Sequence, residues 1–439
     1  MEKRKNHTQY RYYIKGNLEL LSPLIIASGE DEFADLQLIR DWDGNIIISG
    51  TTLAGNIRHL LQEKIKDKKL IDRYLGTDDE TSGHSLVSFF DASTIDVNTD
   101  IRDGVELDNL TKTAKDKSKY DYEIINTGST FELRIKALSR ESSDNKIIEA
   151  ILSEIIALLE KSELRIGAKT SRGFGRIKLT QTKTLKLAMD KEEDRKKWID
   201  FSWGDLDEQN KFEVKDDLFD QINNFKMSAQ FTILDSLIIK SYSTNPDAVD
   251  SVSLTSNNTP VVPGTSWVGA IRHALENVGR EINKHDEISE LIRETFGCVG
   301  NQNNNSLNAI PSKVIIDESI ITNSTMIPYV RNKVDRFTGG VVESALFDEE
   351  SVYGGSVRLD CEIKNAEDHE IGMLILAIKE LQNGIQTVGG GSSIGRGRLK
   401  EKKRVDISDE DQKKYLNALA KKLNSIKLNG KDNKQLNCN

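Results

Sequence analysis

Residues 46–62 read IIISGTTLAGNIRHLLQ, and residues 260–276 read PVVPGTSWVGAIRHALE. Gly50, Thr51, Thr52, Gly55, Ile57, Arg58 and His59 of the first stretch fall without a gap on Gly264, Thr265, Ser266, Gly269, Ile271, Arg272 and His273 of the second. An ungapped match of this length marks an internal repeat, and a repeat must be recognised before any local feature is interpreted. In both copies a glycine and hydroxyl residues precede apolar positions at helical spacing, so a helix starts here with a hydroxyl side chain offered as its N-cap.

The flanks repeat in the same order. An apolar segment, NLELLSPLIIAS or SAQFTILDSLIIKS, precedes the motif; RYLG or TFG follows it, ending at Gly76 or Gly297. A long polar excursion comes next. FELRIKAL (131–138) and SVRLDCEI (356–363) then alternate like half-buried strands, while KIIEAILSEIIALLEKSEL and IGMLILAIKELQNGI carry the three-and-four spacing of amphipathic helices. Each copy closes on a glycine-rich loop before an apolar strand: GAKTSRGFGRIKL (167–179) and GGGSSIGRGRLK (389–400). Neither loop has the lysine-hydroxyl ending of a P-loop or the glycine spacing of a dinucleotide fingerprint, which sets aside a nucleotide cradle.

The order of elements predicts an α+β chain of two tandem ferredoxin-like, RRM-like modules, with helices on one face of an antiparallel sheet. The expected boundaries are 8–183 for the first module, 184–225 for a charged linker with a short helix, and 226–405 for the second module. Residues 406–439 read as a short helix and a disordered tail. With 439 residues each module can bury its own core. The net charge of −9 means that any polyanion is held by local basic clusters. Cys298, Cys361 and Cys438 lack metal-ligand or disulfide spacing, and no apolar run suits a membrane span or a signal peptide. A cytoplasmic location is the expectation.

The paired helix motif PGTSWVGAIR and the terminal loop TSRGFGRI resemble the RAMP superfamily, whose members build CRISPR effector complexes. Both halves look most like the Cas-seven-like backbone subunits of type III complexes, in tandem, over nearly all of residues 10–180 and 228–403. The resemblance implies guide RNA (crRNA), complementary target RNA and other effector subunits as partners, without a membrane. It also implies that each polar excursion, VELDNLTKTAKDKSKYDYEI and YVRNKVDRFTGGVVESALFDEESVYGG, is a thumb insertion that displaces one base pair of the guide–target duplex. Both excursions hold dispersed Lys and Arg with few apolar residues, and RNKVDRFTGG is the better fit.

In that family an aspartate in the loop after the first strand is required for cleavage of target RNA. EFADLQLIRDWDGN puts Asp35 15 residues before Gly50, and NPDAVDSVSLTSNNTPVVPG puts Asp250 14 before Gly264. Asp35 and Asp250 are therefore the expected catalytic residues and ligands for magnesium or another divalent cation, RNA oxygens and water completing the shell. Glu30, Asp31, Asp43 and Asp247 lie nearby, so an exposed loop acid without a chemical role stays open.

Binding a polyanion calls for small residues that let the main chain approach phosphates, and for cations to neutralise them. Gly173, Gly175, Gly390, Gly391 and Gly395 supply the first; Lys169, Arg172, Arg176, Arg396 and Arg398 supply the second, with Arg331 in the second excursion. Thr51, Thr52, Thr265 and Ser266 offer hydroxyls at helix starts, with Arg58 and Arg272 close behind. His59 and His273 stand beside those arginines and suit packing or phosphate contact better than acid–base chemistry. Two alternatives remain at this level: an RNA-binding scaffold without chemistry, and a guide-processing endoribonuclease dependent on histidine.

Overall fold

A computed structural model describes residues 7–29, 36–76, 85–107, 114–210, 212, 218–220, 223–241, 249, 251–298 and 309–426. The first half runs β1 (Tyr10–Leu20), α1 (Gly50–Lys64), α2 (Lys68–Leu75), β2 (Val87–Phe89) and β3 (Ala92–Asp96). It continues through the hairpin β4 (Thr99–Leu107) and β5 (Ala114–Ile125) to β6 (Thr130–Ser139), α3 (Ser142–Glu160), β7 (Ile177–Ala188) and α4 (Glu192–Ile199). The second half repeats it: β8 (Asn224–Leu234), α5 (Gly264–Glu281), α6 (His285–Phe296), β9 (Val314–Ile316) and β10 (Ser319–Thr322), then the hairpin β11 (Thr325–Val334) and β12 (Val341–Tyr353). It ends with β13 (Ser356–Lys364), α7 (Asp368–Gln382), β14 (Arg398–Lys403) and α8 (Asp409–Ser425).

Two compact units result. One comprises Met1–Ile101, Asp121–Thr170 and Phe174–Ile222; the other comprises Arg102–Tyr120, Ser171–Gly173 and Asn223–Asn439. The first sheet runs β7, β1, β6, β3, then the short strand Ile47–Ile48, with β2 also on β6. The second runs β14, β8, β13, β10, then Thr259–Val262, with β9 also on β13. Final strand, first strand, third, second: this is the ferredoxin-like arrangement, built twice from antiparallel pairs.

Alternation decides which face is covered. Tyr12, Ile14, Leu18 and Leu20 of β1 share one side with Phe131, Leu133, Ile135 and Ala137 of β6, and α3 lays Ile148, Ile151, Leu152, Ile155 and Leu159 across them. The second core places Met227, Ala229, Phe231 and Ile233 beside Val357, Leu359, Cys361 and Ile363, under Ile371, Leu374, Ile378 and Leu381 of α7. Each fully buried aliphatic or aromatic side chain contributes about 1.5–3 kcal/mol, so the expected helices are held mainly by these stripes. On the other face of the first sheet, Tyr13, Leu185 and Leu187 meet Leu206, Phe201 and Trp203, with the Tyr13 and Phe201 rings stacked at 4.1 Å.

One local expectation changes. The helix motif was read with a hydroxyl after the glycine as N-cap; in α1 the cap is Ser49, whose Oγ accepts from the Thr52 N–H at 3.2 Å, and Thr51 and Thr52 lie inside the first turn. In α5 the position is Pro263, with no side-chain cap. The glycine is pulled into the helix because its backbone lies against a strand: a Cβ on Gly50 would stand 2.5 Å from Phe89 O, and one on Gly264 2.3 Å from Ile316 O.

The glycine loops are closed in the same way. Gly175 (φ +76°) and Gly397 (φ +73°) occupy left-handed backbone, and a Cβ would fall 1.8 Å from Ile166 O or 2.0 Å from Val388 O. No side chain fits there. Gly397→Ala is expected to lower the unfolding free energy by more than about 2 kcal/mol in chemical denaturation, through strain and steric conflict together.

Candidate nucleic-acid interface

Asp35 and Asp250 lie outside the described residues, but the residues that follow them do not. Leu36 forms a parallel bridge with Tyr122 on β5, and Ser251 forms one with Glu349 on β12. The Glu123 N–H donates to Leu36 O at 3.0 Å, and the Glu350 N–H donates to Ser251 O at 2.8 Å. In each unit, then, the chain next to the expected acid is fixed to the base of the inserted hairpin.

The glycine loop reaches the same strand. In the first unit the Lys169 ammonium sits 3.2 Å from the centroid of the Tyr122 ring, a cation–π contact. In the second, Arg396 is buried and its guanidinium stands 2.8 Å from the Glu349 carboxylate, which also pairs with Arg331 on β11. The Arg396 contact is a charge pairing, and Nη1 is buried without a hydrogen-bond acceptor. Hairpin base, glycine loop and the neighbour of the expected acid meet in both units.

The loops spend several of their amides internally. Gly175 N–H donates to Pro23 O at 2.7 Å, Gly390 N–H to Ile238 O and Gly397 N–H to Ser236 O both at 2.8 Å, so these amides hold the loop to the body, while Gly395 N–H closes a turn of the loop on Ser392 O at 3.0 Å. Gly391 is left-handed, with the Arg396 side chain packed against it. Gly173 is counted in the second unit, where a Cβ would stand 2.6 Å from Ile316 O. The loop cations differ in exposure: Arg172 and Arg398 are exposed, Lys169 and Arg176 half-buried, and Arg396 buried.

On the helices, Thr51 is exposed, while Thr52, Thr265 and Ser266 are half-buried. Ser49 Oγ lies 3.0 Å from Thr51 Oγ1 and 2.8 Å from Thr52 Oγ1. Arg58 pairs with Asp72 at 2.9 Å, a partly exposed contact worth about 0–1 kcal/mol; Arg272 is half-buried. His59 is exposed beside Glu63, whereas His273 Nδ1 lies 2.9 Å from Gln386 Oε1 and 3.0 Å from Asn277 Nδ2. Gly55 and Gly269 are exposed mid-helix, and a Cβ on either would touch nothing within 4 Å. A helical glycine costs about 1 kcal/mol relative to alanine, so this recurring, sterically free glycine has no reason inside the fold.

The second excursion departs from its expectation of few apolar residues. It is a two-stranded ribbon from Thr325 opposite Tyr353 to Val334 opposite Val341, and its Tyr329, Val330, Val334, Val341, Leu346 and Phe347 are exposed. At the tip the Asp335 carboxylate accepts from the Thr338 and Phe337 N–H groups at 2.8 and 2.9 Å, which holds its pKa below the usual range. The turn presents Phe337 at 99% exposure between Arg336 and Thr338. Phe337, Glu349 and Tyr122 were not picked out in the sequence; a lone aromatic ahead of Gly339–Gly340 was the available signal for the first. Among the described residues no three His, Cys, Asp or Glu side chains gather to hold a metal ion.

A model of the RAMP superfamily matches residues 17–178 and 230–400, one match per unit and most of the chain together. The protein belongs to the RAMP superfamily. This is a group associated with type III CRISPR complexes, whose members form RNA-binding assemblies. No curated protein matches the chain. Among the described residues no helix is long and apolar enough to cross a membrane.

Lys169→Met keeps the aliphatic stem and removes the charge above Tyr122. It should cost the first unit about 0.5–2 kcal/mol in a denaturant titration.

Proposed function

We propose that the protein is a two-unit backbone subunit of a type III CRISPR ribonucleoprotein, binding guide RNA and cutting the paired target RNA once per unit. The observation that carries this reading is the recurrent junction: Leu36 on Tyr122 and Ser251 on Glu349, each strand joined to a glycine-loop cation and continuing into an inserted hairpin.

The guide backbone follows Thr51, Gly55 and Arg58 on α1 and their counterparts Thr265, Gly269 and Arg272 on α5, with Arg172 and Arg398 neutralising phosphates. Gly55 and Gly269 let a phosphate backbone come within contact of the helix. Base pairing to the guide, not side-chain contact, reads the target sequence. The inserted hairpins act as thumbs, and Phe337 at the second tip stacks where a nucleotide is displaced. Displacement matters because attack by the adjacent 2′-hydroxyl needs an in-line backbone that a regular helix forbids.

Asp35 and Asp250 are proposed to hold magnesium or a similar divalent cation, which supplies charge stabilisation at the scissile phosphate when bound. Each unit supplies one such carboxylate, so RNA oxygens and water complete the coordination. Pairing of His273 with Gln386 and Asn277 suits a positioned side chain and weighs against histidine-dependent guide processing.

The test is cleavage of end-labelled complementary RNA by the reconstituted complex, with and without magnesium. Two cuts are expected, the first falling at least 100-fold with Asp35→Ala and the second equally with Asp250→Ala, a loss of about 2.7 kcal/mol or more in transition-state stabilisation. Cuts untouched by both substitutions would instead make the protein a scaffold. Gly269→Ala should move two quantities in opposite directions: stability up by about 0.5–1 kcal/mol in denaturation and guide-RNA affinity down in a filter-binding titration.

A further inference from the structure

The two units fill the same position with different chemistry. The bridges Leu24 to Ile125 and Leu36 to Tyr122 in the first unit match the pairings Leu237 to Val352 and Ser251 to Glu349 in the second, so Tyr122 and Glu349 correspond. In the glycine loops Gly175 corresponds to Gly397, each abutting the carbonyl nine residues before it, and Phe174 therefore corresponds to Arg396. Phe174 and Tyr122 are both buried; so are Arg396 and Glu349. Two aromatic side chains occupy these buried positions in the first unit, whereas the second unit buries a charged pair there.

The difference is explained by what the carboxylate also reaches. Arg331 lies on β11, opposite Phe347 and two strand positions from the Glu349 pairing with Tyr329, on the side of the ribbon away from the body. Its side chain is 38% exposed and pairs with the same carboxylate that holds Arg396. A tyrosine at 349 could pack the loop but could not fix a guanidinium on the neighbouring strand.

We infer that Glu349 is the positioning residue of the second RNA site, tying Arg396 of the glycine loop and Arg331 of the inserted hairpin to the strand that seats Ser251. Loop and hairpin then move as one body, and Arg331 is kept on the Glu349 side of the ribbon. For its role in RNA handling the inference rests on the function proposed above; the mechanical coupling stands without it.

The experiment compares wild-type chain, Glu349→Gln, and the exchange Glu349→Tyr with Arg396→Phe, which installs the first unit's residues. Glu349→Gln leaves a buried guanidinium uncompensated and should lower the thermal midpoint by about 5–10 °C, whereas the paired exchange should recover most of that shift. Hydrogen exchange should separate the two roles. At residues 389–398 protection is lost in Glu349→Gln and restored by the paired exchange; at Tyr329–Arg331 exchange is about tenfold faster in both.

In the reconstituted complex the second unit's cut should fall at least tenfold in both variants, with the first unit's cut within twofold of wild type. If the paired exchange restores protection at Tyr329–Arg331, or the second cut, along with the midpoint, Glu349 only packs the loop and the inference is overturned. If wild-type complex cuts no RNA, the ribonuclease reading fails, and the exchange pattern alone decides the coupling.

Discussion

Each unit depends on a close approach of two stretches of main chain. The segment leaving the first strand, at Pro23–Ile25 or Ser236–Ile238, takes hydrogen bonds from the glycine loop near the end of the unit. With Ile25 O 2.2 Å from where a Cβ would stand on Gly167, and Ile238 O 2.4 Å from one on Gly389, the approach admits no other residue. This seam binds the final strand beside the first and brings the loop under the root of the inserted hairpin. The glycine-loop cations in either unit are placed by it.

Above the seam the two copies have diverged. Lys169 over Tyr122 and Arg396 against Glu349 perform the same tethering by different physics. A buried ion pair is not intrinsically more stabilising than an apolar pair of similar volume, because its Coulomb attraction is offset by desolvation. What it adds is a second attachment: one carboxylate pairs with both Arg396 and Arg331, whereas the Tyr122 ring receives Lys169.

The sequence made the α+β class and the order of elements legible because periodicity survives in strongly buried stretches. FELRIKAL and SVRLDCEI alternate because one face of each strand is covered, and both long helices announce themselves by stripes that α3 and α7 do bury. The glycine loops were legible as a repeat but not in purpose. Their residues look like a phosphate cradle, whereas Gly175, Gly390 and Gly397 donate to carbonyls of the segment leaving the first strand. The hairpin was obscured because its apolar residues point outward, so burial gives no warning of them. Glu349 was silent for a different reason: its partners, Arg331 and Arg396, come from separate elements, and nothing in local spacing relates them.

The ribbon formed by β11 and β12 has a consequence for how the protein is made. Beyond the short pairing of Ser236–Leu237 at its base, the ribbon has only two strands, which are marginal in water by themselves, and it carries Tyr329, Val330, Leu346 and Phe347 on its surface. Chains that meet while this surface is bare offer one another the same edge and the same side chains, which is the geometry that favours edge-to-edge association during folding.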